Sequence, residues 1–196
     1  MLYYNPTSNI KKHREALAFE YNCSIPYGIE SFNNWYKLYE DSRPVPSIYE
    51  EVITNQVTQI DGKYTQTYSV KYKSLETIKQ IRLEEINKKF SEISESAHVM
   101  SSVGFVIDAN ETANRDIEGL LKVMKIDGTE TELFRDYNNE FHAVTLEQLE
   151  KMQVEVIKNG QHIYKQKWYF CTELEKLNSV EEVIAMPIEY NNLSFE

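Results

Sequence analysis

The side chains able to do chemistry lie scattered through the chain. His13, His98, His142 and His162 are its four histidines, and none falls in an HExxH or cysteine-paired spacing that gathers metal ligands. Acid–base work needs two groups held near each other, whereas the adjacent pairs Glu84-Glu85 and Glu181-Glu182 diverge on a helix. The six glycines form no phosphate-cradling loop, and no serine sits in a nucleophile elbow. Asp108-Ala109-Asn110-Glu111 is oxygen-rich like a calcium loop but lacks the Asp-x-Asp spacing, the central glycine and the closing glutamate. Asp108 with Glu111 reads instead as a helix capping box. Asn114, Arg115 and Asp116 then suit a polar latch between that helix and the hairpin after it, with Arg115 supplying five donors. Cys23 and Cys171 belong to no motif, and Cys171 reads as a buried free thiol. The expectation is a protein that is no enzyme, with no catalytic residue, metal or cofactor.

The element that organises the rest is one long amphipathic helix over residues 145–177. Leu149, Val156, Ile163, Phe170 and Leu177 recur every seven positions, and Ile157, Tyr164 and Cys171 run beside them. Thr145 with Gln148 marks its start as a capping box, and Asn178 suits a left-handed turn at its end. At about 50 Å such a helix outruns a small core, so an end is expected to overhang or meet a partner. Gly119 and Gly160 each interrupt a helix at a cost of about 1 kcal/mol, which suggests a close crossing there. The seven-residue repeat would also serve an oligomeric seam.

Ahead of that helix the pattern is mixed. Residues 1–30 suit either strands or a short helix capped by Ser8. An aromatic cluster at residues 35–39 precedes Pro44 and Pro46, which mark an irregular segment. Residues 52–60 and 64–72 flank Asp61-Gly62, a hairpin signal, and Tyr64, Tyr68, Val70 and Tyr72 alternate as one buried face. Ser74 caps a helix carrying Leu75, Ile78, Ile86, Phe90, Ile93 and Ala97, with a gap at Arg82. An extended piece over 103–107 leads to a helix with Ala113, Ile117, Leu120, Leu121 and Met124, ended by Asp127-Gly128. A hairpin follows, 133–137 and 141–144, around Asn138-Asn139. A short helix between the capping box Ser179 and Glu182 and Pro187 comes last, and residues 191–196 read as a loose tail.

Composition supports two domains. Residues 1–73 hold 8 basic and 8 acidic groups and 10 of the 14 tyrosines, whereas the rest holds 13 basic and 23 acidic, the whole net charge of −10. So acidic a part is a poor ligand for nucleic acid. No stretch approaches the roughly 20 apolar residues of a membrane span, and no secretory signal is visible. The expected fold class is α+β: a tyrosine-rich β unit over 1–73, a mainly helical domain over 74–187 with about four helices and one small β-hairpin, and a tail over 188–196.

The run Gly104-Phe105-Val106-Ile107-Asp108-Ala109-Asn110-Glu111-Thr112-Ala113-Asn114-Arg115-Asp116-Ile117-Glu118-Gly119-Leu120 resembles the core signature of a helical domain of unknown function. That domain recurs at the C-terminal ends of tailed-phage and prophage tail proteins. The hairpin over 134–144, the Thr145-Leu146 helix start, Trp168 and Ser179-Val180-Glu181-Glu182-Val183 extend the likeness over about residues 74–187. Asn34-Trp35-Tyr36 with Pro44, and the run from Asp61 to Tyr68, look like segments that precede the domain in tail-fibre and fibre-assembly proteins. The resemblance implies a phage tail-fibre accessory or chaperone acting by protein binding in the bacterial host cytoplasm. The alternative is a structural tail, baseplate or receptor-binding component. Asp108, Asn110, Asn114, Arg115, Gly119 and Trp168 then form the structural motif. Trp35, Tyr36, Leu149, Val156 and Ile163 are the expected partner surface, facing a tail protein or a second copy of the chain.

Overall fold

The computed structural model describes residues 1–195. The chain is α+β and divides into two compact units, Met1–Lys73 and a second that begins at Ser74.

The first unit is built on β1 (Leu2–Asn5), β2 (Ile10–His13), α1 (Arg14–Glu20), β3 (Ser31–Phe32), β4 (Trp35–Glu40), β5 (Glu50–Thr54), β6 (Thr58–Ile60), β7 (Lys63–Gln66) and β8 (Tyr68–Tyr72). Its main sheet has the order β2-β1-β4-β7-β6 with β3 beside β4, and β4 and β7 run parallel. Residues 1–30 thus adopt both alternatives in turn, two strands and then a helix that starts at Arg14 without a side-chain cap. Tyr3, Leu17, Ile25 and Trp35 are the buried core, and the Tyr3 hydroxyl donates to the Ile29 carbonyl at 2.8 Å. The Tyr64 ring stands 4.9 Å from Tyr36 and 5.5 Å from Tyr4.

Asp61 and Gly62 both take positive φ, as a type I′ turn demands, and β6 and β7 form the expected hairpin. The ladder then breaks. Thr58 pairs with Thr65 but Thr54 pairs with Tyr68, so Asn55, Gln56 and Val57 face only Gln66 and Thr67, a bulge of one residue. Gln66 is buried there and its amide donates to the carbonyls of Asn55 and Thr67. Beyond it β5 and β8 form a two-stranded ribbon, which leaves Val70 and Tyr72 exposed instead of on a buried face. A sheet face is buried only by a layer packed on it, and among the described residues none covers Val70 and Tyr72.

The second unit contains α2 (Leu75–Glu95), β9 (His98–Met100), β10 (Val106–Asp108), α3 (Glu111–Asp127), β11 (Thr131–Arg135), β12 (Phe141–Thr145), α4 (Leu146–Lys176) and α5 (Val180–Ala185). Lys79 reaches the Glu175 carbonyl and Phe90 meets Tyr164, so α2 and α4 run antiparallel. Ile117, Leu121 and Met124 of α3 join the cluster holding Leu149, Met152 and Val156 of α4. Each such buried side chain contributes on the order of 1.5–3 kcal/mol. The length of α4 therefore needs no overhang, since α3 covers its first half and α2 its second. Capping boxes at Thr145 and Ser179 are both formed, and Gly128 ends α3 in the left-handed region.

Several expectations are corrected. Asn110 caps α3 by accepting from the Ala113 N–H, while Asp108 is a strand residue opposite His98 in a β9–β10 hairpin, a second small hairpin in this unit. Residues 103–105 lie in the loop between those strands, and Tyr137 lies in the β11–β12 turn, where its N–H reaches the Val106 carbonyl at 3.0 Å. The end of α4 is an extended Leu177, with Asn178 outside the positive-φ region. A Cβ at Gly119 or Gly160 would meet nothing within 4 Å, so neither marks a tight crossing. The tail is tied down as far as Phe195, Glu196 lying outside the described residues: Asn159 donates to Asn192 at 2.9 Å and accepts from the Leu193 N–H at 2.8 Å, and the Phe195 N–H donates to the Met100 carbonyl.

Candidate functional site

Three polar side chains interrupt apolar stripes and are buried. Arg82 follows Ile78 by one turn and precedes Ile86 by another, so it must enter the core, where it donates to Glu85 and to the Met186 carbonyl. Glu155 accepts from the hydroxyls of Ser101 and Ser102, and Asn159 holds the tail. A polar residue inside an apolar stripe was the available signal for all three, because burial demands a hydrogen-bonding partner. All three serve architecture.

Above this core, α2, the start of α3 and α4 enclose a cleft of about 770 Å³. Its floor is Ala97, Ala109, Val156 and Ile163, and Gly160 leaves the middle open. At one end the Phe90 ring lies 4.8 Å from Tyr164, with the Lys167 ammonium 4.4 Å over Phe90. Glu95, Glu111 and Asn114 line the other end, and Oδ1 of Asn114 is buried without a donor. Along the rim α4 presents Ile157 (43% exposed) and Tyr164 (51%), and one turn beyond the lining Trp168 (63%) stands with its ring 6.2 Å from Tyr164. Among the described residues, the lining includes no histidine, cysteine, lysine or arginine. Such a site can take apolar groups together with a hydrogen-bond donor. Behind it Tyr190 closes on Phe170 at 5.1 Å, and burial pushes its phenol up to about 12.

A second cluster sits at the β11–β12 turn, where ligand atoms of Asp136, Glu140 and His142 lie within 4.8 Å of one another. Their spacing matches no metal motif in sequence; the turn assembles them. Two carboxylates and an imidazole fit a divalent ion chemically. The oxygens of Asp136 are already committed, however, accepting from the Glu140 N–H at 2.8 Å and from Nε2 of His142 at 2.9 Å. Burial alone would raise the Asp136 carboxyl, but the Glu140 and Asn138 N–H groups and His142 outweigh it and hold it below its usual range. The His142 ring stacks on Phe105 with centroids 3.9 Å apart, so the cluster closes a turn.

The residues expected to matter are placed as follows. Asn110 caps α3 and, with Asn114, lines the cleft; Trp168 is exposed on α4 one turn beyond Tyr164, outside the lining. Arg115 is exposed, its nearest acid being Asp116 at 3.9 Å, so it forms no latch to the hairpin. Gly119 is on an open helix surface, and Asp108 is in the hairpin. Of the expected partner surface, Trp35, Leu149, Val156 and Ile163 are buried and Tyr36 is half-buried against Tyr64. Their apolar faces are used inside the protomer, and the neighbouring row Ile157–Tyr164 is the one left outside.

Among the described residues, four helices and two β-hairpins, with a buried cluster shared by α3, α4 and the hairpins and a cleft on its flank, define the second unit as a helical α+β domain. A family model described as a domain of unknown function (DUF4376) matches residues 71–189, and the chain belongs to that family. No curated protein and no solved structure matches the chain.

Proposed function

We propose that the protein is a non-enzymatic accessory of tail-fibre assembly in a tailed bacteriophage or prophage, acting in the host cytoplasm by binding another tail protein. The observation that carries the binding role is the apolar row of α4 along the cleft, Ile157 and Tyr164, with Trp168 one turn beyond, which stays in water beside the buried cluster of Val156 and Ile163. Aromatic side chains of this kind are the anchors that protein interfaces favour. The phage setting rests on the sequence resemblance, since the family description assigns no activity. No helix among the described residues is long and apolar enough to cross a membrane, and the acidic second unit suits a protein partner better than a nucleic acid.

Co-expression with the fibre protein encoded beside it is the test. The two should co-purify, and the soluble yield of the fibre should rise. If neither happens, the assembly role is wrong. A structural tail component would use the same rim as a permanent seam. Mass spectrometry of purified particles decides between them, because an assembly factor is absent from the particle and a structural component present in fixed ratio.

A further inference from the structure

The cleft is polarised. Glu95 and Glu111 form no ion pair within the chain among the described residues, and with the donor-less Oδ1 of Asn114 they gather acceptors at one end. The opposite end carries a cation, Lys167, over an aromatic face. The N-terminus of α3 offsets about half a charge at the acidic end, against two full carboxylates, so that end stays negative. Between the two ends lies an apolar floor.

We infer that this cleft is the groove for an amphipathic peptide segment of a partner, with its apolar side chains on the Val156–Ile163 floor and a lysine or arginine directed at Glu95, Glu111 and Asn114. The inference rests on the protein-binding reading above and adds the partner's chemistry. A helical segment suits the groove because its apolar side chains recur every three or four residues on one face, matching Ile157, Gly160 and Tyr164 along α4. The basic group pairs with the two carboxylates and the Asn114 Oδ1, which have no side-chain partner among the described residues, and a charge-assisted contact of this type favours specificity. Gly160 is the opening: a larger side chain there would occupy the groove without touching the fold, since nothing stands within 4 Å of a Cβ at that position.

The probe is a displayed library of random peptides of about 15 residues, roughly four helical turns, selected on the full chain and then on Gly160→Leu and on the double variant E95Q/E111Q. Circular dichroism checks that each variant is folded, and leucine favours the helix more than glycine does. Enriched peptides should carry apolar residues at three- and four-residue spacing with at least one lysine or arginine. Their affinity, by fluorescence anisotropy, should fall by roughly tenfold or more in each variant, equivalent to about 1.4 kcal/mol, and should weaken as salt rises. Enrichment without basic residues, affinity indifferent to Gly160→Leu, or no enrichment at all would overturn the inference. So would a dimer of the free chain that Gly160→Leu dissolves, which would make a second copy the occupant. A variant that still co-purifies with the fibre while losing no affinity sinks the groove and spares the assembly role; loss of co-purification by the unaltered chain removes the latter by itself.

Discussion

Replacing Arg82 separates what its charge does from what its stem does. The side chain is 7% exposed, donates to Glu85 and to the Met186 carbonyl, and leaves Nε buried without an acceptor. Its aliphatic stem fills the step between Ile78 and Ile86, worth about 2 kcal/mol for three buried methylenes at roughly 0.8 kcal/mol each. The charged hydrogen bonds add about 1.5–3 kcal/mol each, but desolvating a guanidinium opposes them by several kcal/mol. Those two nearly cancel. Glu85 would also keep its other partner, Lys89 at 3.2 Å, and the carbonyl released belongs to Met186, a residue only half-buried. Arg82→Ala should therefore cost about 2–3 kcal/mol and Arg82→Met within about 1 kcal/mol. Urea unfolding followed by circular dichroism at the helix band measures both. A methionine variant as damaged as the alanine one would show that the ionic contacts, not the stem, join α2 to α5.

Other perturbations address separate elements. Gly119→Ala lies on an open helix surface and should stabilise the second unit by about 1 kcal/mol in the same assay. Asn159→Ala should cost about 1–2 kcal/mol and abolish hydrogen-exchange protection at the Leu193 amide, which donates to Asn159. Asp136 is held below its usual range, so its contribution is full above a pH of about 4 and is lost as pH falls through its folded value. Acid unfolding of Asp136→Asn should lack that share of the pH dependence, and identical profiles would refute the role assigned to the turn.

How much of this could be read beforehand depends on how local each cause is. The capping boxes at Thr145 and Ser179, the Asp61-Gly62 turn and the Gly128 stop all act within a few residues, and each stands where the sequence puts it. The α3 start was displaced because Asp108 and Asn110 are both good caps, and the choice fell to β10, which pairs Asp108 with His98. Which of two neighbouring rows on α4 faces inward was not legible, since periodicity gives a stripe its width but not its partner; α2 and α3 cover Val156 and Ile163 and leave Ile157 and Tyr164 outside. The tail was misread because its anchors, Asn159 and Met100, are more than 30 and more than 90 residues away. The cleft likewise arises only when three helices meet.

The closing stretch against Met100 and Asn159 has a bearing on how the protein is made. Those residues follow every helix they lock in the chain order, so the first unit can fold during synthesis before they emerge, whereas the helical unit gains these contacts only once they have. A ribosome-bound chain stalled while Asn191 to Phe195 are still inside the exit tunnel should thus show a protease-resistant first unit and a digestible second one, and resistance of both would contradict this timing.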